Sequence, residues 1–336
     1  MSQGLCIWAS FQIDMTDLIE FVSQSLGDNI AWSPYCYEYS KLTGRKVVVK
    51  TRWAELFDDI EDKVKFYPCQ TIHQFHVTKE SHPNGLPEVL GKGPDGEFNV
   101  DWRSQIVKSG MGQIDNLKKI NFHLNRKVNI QKQICDQLQI PFKQIIPTIS
   151  TKSTEGYKTP RSKYVCISVQ STSKCKLWTQ SGWDKVVRFL KTKGYKVLCI
   201  DKDDSWGRPN DWNLIPKKAI NETGSFPLEK RIKQIMDCDF FIGLSSGLSW
   251  LAWALGKKVV MISGSTHKIN EFDCFRVQNE SVCHGCLNDE DLNSFEEIQY
   301  NWAYCPRGNK HECRTKISFD AVKEQITKCI NTKKQG

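Results

Sequence analysis

The first part of the chain has apolar and polar segments in an order that predicts a strand, a helix and a second strand. Residues 18–22 are mostly apolar, and the polar, glycine-containing segment 23–29 follows them. Residues 30–39 have the spacing of an amphipathic helix, and the apolar run of the next strand lies at 46–50. This order is typical of a βαβ unit, and it places Asp28 in the turn after the first strand.

A second and more regular alternation begins after residue 161. Residues 145–161 are rich in Thr, Ser, Lys and Pro, which is typical of a linker, whereas residues 66–107 predict loops and short elements. Beyond the linker the pattern predicts helices at 183–191, 228–236 and 246–255, and strands at 164–169, 196–200, 240–242 and 259–262. Such an alternation indicates a doubly wound parallel sheet.

The two alternations together predict an α/β protein with two Rossmann-like domains. We expect a first domain at residues 1–150, a second at 151–316, and a C-terminal helix and tail at 317–336. Two such domains leave a cleft between them, and open parallel sheets bind ligands at the carboxyl ends of their strands. The functional residues are therefore expected on the loops that follow the strands.

The amino-acid composition indicates a globular protein rather than a membrane-spanning one. The 336 residues are 39% hydrophobic and 25% charged, which is the composition of a globular protein. The longest uncharged run, 240–256, contains glycines and serines and is shorter than the roughly 20 apolar residues of a membrane span. Residues 1–15 have no basic segment ahead of an apolar one, so no signal peptide is expected and the cytoplasm is the predicted location.

The net charge of +9 is concentrated in one part of the chain. Residues 141–200 hold twelve basic and two acidic residues, so this segment alone accounts for the surplus. A phosphate-bearing small ligand would suit such a segment, and so would nucleic acid if the charges share one face. A solvated helix face and a basic linker account for part of these charges.

The chain has fourteen cysteines, which in a reducing compartment are thiols rather than disulfides. Cys283 and Cys286 form a CxxC turn, and Cys305 and Cys313 follow it. Two cysteines on a tight turn and two later ones can hold one ion in a tetrahedral four-thiolate site. The spacing therefore predicts a metal finger at 283–313 that holds iron or zinc, with reduced thiols and no metal as the alternative.

Two loops after predicted strands carry residues suited to a phosphate group. The segment 243–249 places glycines and hydroxyls between a strand and a helix, where backbone N–H groups and the helix dipole favour an anion. An ordinary turn in which a serine caps the helix is the alternative. After the first strand of the second domain, Ser171 and Thr172 supply hydroxyls, and Lys174 or Lys176 supplies a positive charge.

Two further motifs have both a functional and a structural interpretation. Residues 91–96 match the pattern GxGxxG, but Pro94 and the lack of a strand-to-helix context predict a turn rather than a dinucleotide site. No GxxxxGK[ST] phosphate loop occurs in the sequence. Asp28 could act as a general base for an acceptor hydroxyl, or it could cap the following helix.

Taken together, these features resemble the heptosyltransferase superfamily, and specifically the bacterial autotransporter heptosyltransferases, which are related to glycosyltransferase family 9. The resemblance covers most of residues 18–316 and rests on the segments 25–35, 176–178 and 239–264 and on the four-cysteine finger. It implies a GT-B fold, in which two Rossmann-like domains face a cleft. The N-terminal domain would be on the acceptor side and carry the catalytic base, and the C-terminal domain would bind the nucleotide sugar.

Two features distinguish this chain within the superfamily. Lipopolysaccharide heptosyltransferases usually carry a histidine shortly after the helix-start glycine, where this chain has Gly247-Leu248-Ser249-Trp250, and this favours the autotransporter type. The protein-modifying relatives also have a longer region ahead of the Gly-Asp turn than the 26 residues found here. We therefore expect differences from those relatives mainly on the acceptor side.

The resemblance implies a role for each candidate residue. Asp28, in the Gly-Asp turn, matches the catalytic base. Lys176, which precedes an apolar and an aromatic residue, matches the lysine that contacts the donor phosphates. The other implied donor-binding residues are Ser171 and Thr172 beside that lysine, Thr223 and Gly224 on the adenine side, and Ser246, Gly247 and Leu248 at the start of the pyrophosphate-binding helix.

The implied reaction is inverting transfer of a heptose from ADP-heptose to Ser or Thr hydroxyls of a protein acceptor such as an autotransporter. No catalytic metal is expected, so the iron or zinc ion of the finger would be structural, and assembly into a homo-oligomer is compatible with the resemblance. Three alternatives stay open. They are a transferase that uses another nucleoside diphosphate sugar on lipopolysaccharide or nucleic acid, a nucleic-acid-binding protein with a zinc-ribbon-like finger, and a nucleotide-binding protein without catalysis.

Overall fold

The computed structural model shows two parallel β-sheets with helices packed on them. It describes residues 16–57, 62–68, 89–92, 98–100, 111, 114–122, 127–171, 174–203, 205–206, 213–289, 292 and 305–332. The predicted α/β class with parallel sheets is confirmed.

The first part of the chain contains a four-stranded sheet. The elements of this part of the chain are β1 (Thr16–Phe21), α1 (Leu26–Thr43), β2 (Lys46–Thr51), β3 (Val64–Pro68), β4 (Val89–Lys92), β5 (Phe98–Val100), β6 (Ile114–Ile120) and α2 (Ile130–Leu138). The sheet order is β3-β2-β1-β6, and all its neighbouring strands are parallel. β4 and β5 pair antiparallel as a separate ribbon. The turn predicted at the GxGxxG segment lies mostly outside the described residues.

The second part contains a six-stranded sheet. The elements of this part of the chain are β7 (Tyr164–Ser168), α3 (Gln180–Thr192), β8 (Lys196–Cys199), β9 (Ser205–Trp206), β10 (Asn213–Leu214), β11 (Ile220–Asn221), α4 (Leu228–Asp237), β12 (Phe241–Leu244), α5 (Gly247–Ala254), β13 (Val259–Ile262), β14 (Phe275–Val277), α6 (Glu312–Thr315) and α7 (Phe319–Asn331). The order β11-β8-β7-β12-β13-β14 is parallel throughout. This is the 3-2-1-4-5-6 order of dinucleotide-binding sheets. The strands β8 and β11 lie on one side of β7, and the strands from β12 onwards lie on its other side, so the point where the strand order reverses is between β7 and β12.

The observed elements differ from the predicted ones mainly at their ends. The largest difference is at α1, which begins at Leu26, so that Asp28 lies in its first turn and not in the loop before it. The prediction was wrong because Gly27 looked like a turn residue, whereas Ser25 is the N-cap and Gly27 is helical. The segment predicted as loops from residue 66 includes the end of β3, a short strand at the edge of the sheet.

One hydrophobic core extends from the first sheet to the second. A single cluster of buried side chains includes Ile19 on β1, Trp32 on α1, Trp250 on α5 and Met261 on β13. A second cluster fills the other face of the six-stranded sheet, against α3 and α7. Among the helices of the described residues, none has the length and hydrophobicity that a membrane span requires.

The helices α1 and α5 approach each other closely because each has a glycine at the contact. A Cβ atom on Gly27 would lie 2.9 Å from Cδ1 of Trp250, and a Cβ atom on Gly247 would lie 2.7 Å from Cβ of Leu26. Larger residues would push the helices apart. We call this contact the α1–α5 junction, and it brings the first turns of both helices together between the two sheets.

Trp250→Ala is expected to lower the free energy of unfolding by about 3–5 kcal/mol, because the variant removes a buried indole from the α1–α5 junction. Urea unfolding followed by circular dichroism measures this loss. Trp253→Ala is the matched control, since Trp253 stacks on Phe272 at 4.9 Å but is only partly buried, and it should lose less. Equal losses in the two variants would contradict the importance of the junction.

Candidate active site

Asp28 lies just beyond the carboxyl end of β1, and the loop before α1 holds its carboxylate. Ser23 Oγ donates a hydrogen bond to Asp28 Oδ2. The amide of Asn29 fixes the same loop by donating to the carbonyl oxygens of Ser23 and Ser25, each at 2.8 Å. Burial raises the pKa of Asp28 to about 6, although the Ser23 hydrogen bond and the charge of Lys176 lower it. A carboxylate with this pKa can take up a proton near neutral pH, and it does not cap the helix, because Ser25 holds the N-cap position.

Lys176 reaches the same region from the second sheet. It ends the 3₁₀ turn Lys174–Lys176, which follows β7. Burial lowers the pKa of Lys176, whereas the charge of Asp28 raises it, and Lys176 lowers the pKa of Asp28 in return. The structure therefore brings the candidate base and the candidate phosphate-binding lysine together from elements that are far apart in the sequence.

The loop that leaves β7 is anchored by Asp201, which follows β8. The Asp201 carboxylate accepts hydrogen bonds from Ser168 Oγ at 2.7 Å and from the backbone N–H groups of the next two residues at 2.8 and 3.2 Å. Burial raises the pKa of Asp201, and these donors oppose that shift. Ser171 therefore follows an anchored backbone, whereas Thr172 lies outside the described residues.

The start of α5 has the features of an anion site. Ser246 is the N-cap, but its side chain makes no capping hydrogen bond. The serine side chain that bonds locally is that of Ser249, whose Oγ donates to the Leu244 carbonyl oxygen at 2.6 Å. Ser246, Gly247 and Leu248 are partly exposed. Because the first turn of α1 meets α5 here, the positive ends of two helix dipoles lie side by side.

The loop that carries Thr223 and Gly224 is shaped by Arg231, a buried residue of α4. The Arg231 guanidinium donates hydrogen bonds to the carbonyl oxygens of Glu222 at 2.7 Å, Gly224 at 2.8 Å and Asp201 at 3.2 Å. Gly224 has a φ of 140°, which residues with a side chain rarely adopt. The loop after β11 is therefore tied to the loop after β8, at the same edge of the sheet.

The four cysteines of the predicted finger line one cavity of about 10 Å³, a volume that suits a single small ion. The cavity is lined by the thiols of Cys283, Cys286, Cys305 and Cys313 and also by Cys175 and His311. Within the described residues, no group of three or more metal-ligating side chains has the arrangement of a metal site. The fold thus gathers the predicted thiols around one cavity without forming a complete coordination sphere.

Comparison with known proteins decides the family. The family model of glycosyltransferase family 9 (heptosyltransferase) matches residues 119–292, just over half of the chain. The chain belongs to glycosyltransferase family 9. The chain is therefore an enzyme. The comparisons favour a glycosyltransferase over a protein that only binds nucleic acid.

Similar proteins confirm the predicted resemblance. This family 9 enzyme is 44% identical to the autotransporter heptosyltransferase BAHTCr of Citrobacter rodentium, over 96% of this chain and 74% of that protein. The crystal structure of the dodecameric iron-containing heptosyltransferase TibC in complex with ADP-D-beta-D-heptose matches with a TM-score of 0.76 at 26% identity, covering 94% of this chain and 77% of TibC. Escherichia coli heptosyltransferase WaaC shares the fold, with a TM-score of 0.51 at 12% identity, covering 93% of this chain and 99% of WaaC.

Three residues of the family 9 enzyme's site were missed by the sequence analysis. Arg231 lies on the buried face of an amphipathic helix, and a basic residue at such a position is the signal that could have found it. Asn29 adjoins Asp28 but has no distinctive spacing. Cys175 is distant in the sequence from the CxxC turn, so only the folded chain reveals that it shares the cavity of the finger.

Proposed function

We propose that this enzyme transfers a heptose from ADP-heptose to Ser or Thr hydroxyls of a protein acceptor, such as an autotransporter, with inversion at the anomeric carbon. The observation that carries the proposal is the position of Asp28 in the first turn of α1, next to the α1–α5 junction, with Lys176 near enough for each charge to shift the pKa of the other. The relatives support the substrates, because BAHTCr is an autotransporter heptosyltransferase and the structure of TibC contains ADP-D-beta-D-heptose.

The two sheets are proposed to belong to the two domains of a GT-B fold. Residues 1–150 would form the acceptor-side domain, residues 151–316 the donor-binding domain, and residues 317–336 the C-terminal helix and tail. Both sheets contain the 3-2-1-4 strand order of a Rossmann-like unit, which supports this division. The donor and the acceptor would then meet where the strand ends of both sheets approach the junction.

In the proposed reaction, the acceptor oxygen attacks the anomeric carbon on the face opposite the ADP group. The new carbon–oxygen bond forms while the bond from the anomeric carbon to the β-phosphate oxygen breaks, and the proton of the attacking hydroxyl passes to Asp28. The pKa of about 6 suits this role, because the carboxylate is mostly ionised at neutral pH yet more basic than an exposed aspartate.

The departing ADP carries developing negative charge, and the donor-side residues are proposed to stabilise it. Lys176 would supply a positive charge, and the backbone N–H groups at Ser246, Gly247 and Leu248 would supply the positive end of α5. Ser171 and Thr172 would add hydroxyl donors next to the diphosphate. Thr223 and Gly224 would line the adenine side, and the buried Arg231 holds the shape of that loop.

A structural iron or zinc ion is proposed for the cysteine cavity. Thiolates suit either metal, and the relative TibC is iron-containing. Cys283, Cys286, Cys305 and Cys313 would hold the ion, which supplies a cross-link across the finger. The finger is joined to the loop after β13 by backbone hydrogen bonds from Gly285 to Gly264 and from Leu287 to Ser265, both at 2.9 Å.

The cellular setting and the assembly are also proposed from the chain and its relatives. All cysteines of the described residues are free thiols, which suits the cytoplasm. TibC is dodecameric, and we expect this enzyme also to assemble from identical subunits.

Asp28→Asn is expected to reduce turnover by about 10²–10⁴-fold, because the variant lacks the base that takes the acceptor proton. Release of ADP measures turnover, and calorimetry with ADP should show nearly unchanged donor affinity. In the wild-type enzyme, kcat/KM should fall as the pH decreases through about 6, since protonation of Asp28 removes the base. Asp136→Asn, which changes an exposed carboxylate on α2, is the control. Near-normal turnover of Asp28→Asn, or a flat profile between pH 5 and 8, would refute the assignment.

A donor screen tests the substrate. Of ADP-, GDP-, UDP- and dTDP-sugars, ADP-heptose is expected to raise the melting temperature of the enzyme most. The variant Lys176→Met should bind ADP about ten-fold or more weakly, because it loses a charged hydrogen bond to the diphosphate. Lys185→Met, an exposed lysine on α3, should bind ADP normally. Stabilisation by a UDP- or GDP-sugar alone would overturn the heptose assignment.

Mass spectrometry of cell extract incubated with the enzyme and ADP-heptose should find the transferred heptose in protein. Heptose found in lipopolysaccharide or nucleic acid instead would overturn the proposed protein acceptor.

Metal analysis tests the finger. Protein purified without added metal is expected to contain about one iron or zinc ion per chain, because four thiolates complete a tetrahedral site. The double variant Cys283→Ser/Cys286→Ser should lose that ion, whereas Cys329→Ser, a buried cysteine on α7, should keep it. A metal content far below one per chain in the wild-type protein, or one unchanged in the double variant, would show that the site does not exist.

A further inference from the structure

A fifth thiol, that of Cys175, lies at the cavity of the metal finger. Cys175 is only 4% exposed, and it lines the cavity together with the four cysteines of the finger. The Cys175 side chain is therefore a neighbour of the finger cysteines inside the fold.

The same residue belongs to the turn that presents the donor-binding lysine. Cys175 and Lys176 are consecutive residues of the 3₁₀ turn after β7. Their Cα atoms are about 3.8 Å apart, as in any trans peptide, so a displacement of Cys175 moves the backbone of Lys176. A contact at the cavity is thus one residue away from the group proposed to bind the diphosphate.

Further contacts tie this segment to the C-terminal side of the finger. Arg314 Nη1 donates a hydrogen bond to the Leu177 carbonyl oxygen at 3.3 Å. Trp178 Nε1 donates to the Ile317 carbonyl oxygen at 3.0 Å. The lysine segment is therefore held on one side by Asp201 and on the other by residues just after the finger, and Cys175 is its contact with the cavity itself.

A tetrahedral ion takes four ligands, and the four cysteines of the finger supply them. Cys175 would then lie beside the four ligands as a neighbouring side chain that supports them without binding the ion. Such partners of metal ligands orient the ligands and the groups attached to them. Without the ion, the crowded thiols have no cation to hold them in a fixed arrangement.

We propose that Cys175 is a positioning residue that couples the metal finger to the donor site: its side chain, packed at the cavity that the four finger cysteines line, fixes Lys176 for the diphosphate. Occupancy of the finger by its ion then sets the affinity for the nucleotide. The inference rests on the proposed roles of Lys176 and of the finger.

The test measures metal content by elemental analysis and ADP affinity by calorimetry on the full chain. Cys175→Ala is expected to keep the ion and to bind ADP about ten-fold more weakly. Cys175→Ser, which retains a hydrogen-bond donor, should recover part of the affinity, and it also serves if the alanine variant does not fold. Cys329→Ala, a buried cysteine on α7 that does not line this cavity, should bind ADP normally.

A second arm tests the coupling. In the wild-type background, Cys283→Ser/Cys286→Ser should weaken ADP binding by a factor similar to that of Cys175→Ala, whereas in the Cys175→Ala background it should add little, because both changes release the same turn. Additive losses would overturn the coupling. Loss of the ion in both Cys175 variants would also overturn it, since Cys175 would then be a ligand rather than a partner of the ligands.

The outcomes separate this inference from the proposed function. If Lys176→Met weakens ADP binding while Cys175→Ala and Cys175→Ser bind ADP like the wild type, the inference alone is wrong. If Lys176→Met leaves ADP binding unchanged, the proposed donor site is wrong, and the inference falls with it.

Discussion

The close contact between the first turns of α1 and α5 is the constraint on which the site depends. Two helix ends that both carry partial positive charge repel each other, so packing has to hold them together. Gly27 and Gly247 allow the approach, and Trp250 fills the space beside them with its ring against Phe272 at a centroid distance of 4.8 Å. The positive potential that remains makes the same place favourable for an anion, such as the diphosphate that we propose to bind there.

Two carboxylates with raised pKa values, the buried Asp201 and the half-buried Asp28, differ in their surroundings. Asp201 accepts hydrogen bonds from the side chains of Ser168 and Cys199 and from two backbone N–H groups, so its charge is used to hold the loop after β7. Asp28 accepts a hydrogen bond from Ser23 and has Lys176 as its charged neighbour. Burial raises the pKa of both groups, but Asp28 lies in the first turn of α1, next to the contact with α5. The difference lies in how many donors each carboxylate already has.

The sequence predicted what depends on local pattern and missed what depends on distant contacts. Strand β13 was predicted with its exact limits, because Val259–Ile262 is a purely apolar run. The start of α1 was misplaced, since the reason for a helical Gly27 is its contact with Trp250, far along the chain. Asp28 and the finger cysteines have recognisable spacing, whereas Cys175 has none, and it joins the site only because β7 directs its loop towards the finger. The domain boundaries and the roles of the site residues stay predictions.

The continuous core has a consequence for how substrates come and go. A rotation that separated the two sheets would break the α1–α5 junction and expose Trp250, which is buried in the common cluster, to water. Interfaces that are large and apolar oppose such relative motion of two structural units. The enzyme is therefore expected to admit and release its nucleotide by local movement of the loops at the strand ends, with the two sheets held at a nearly constant angle through the catalytic cycle.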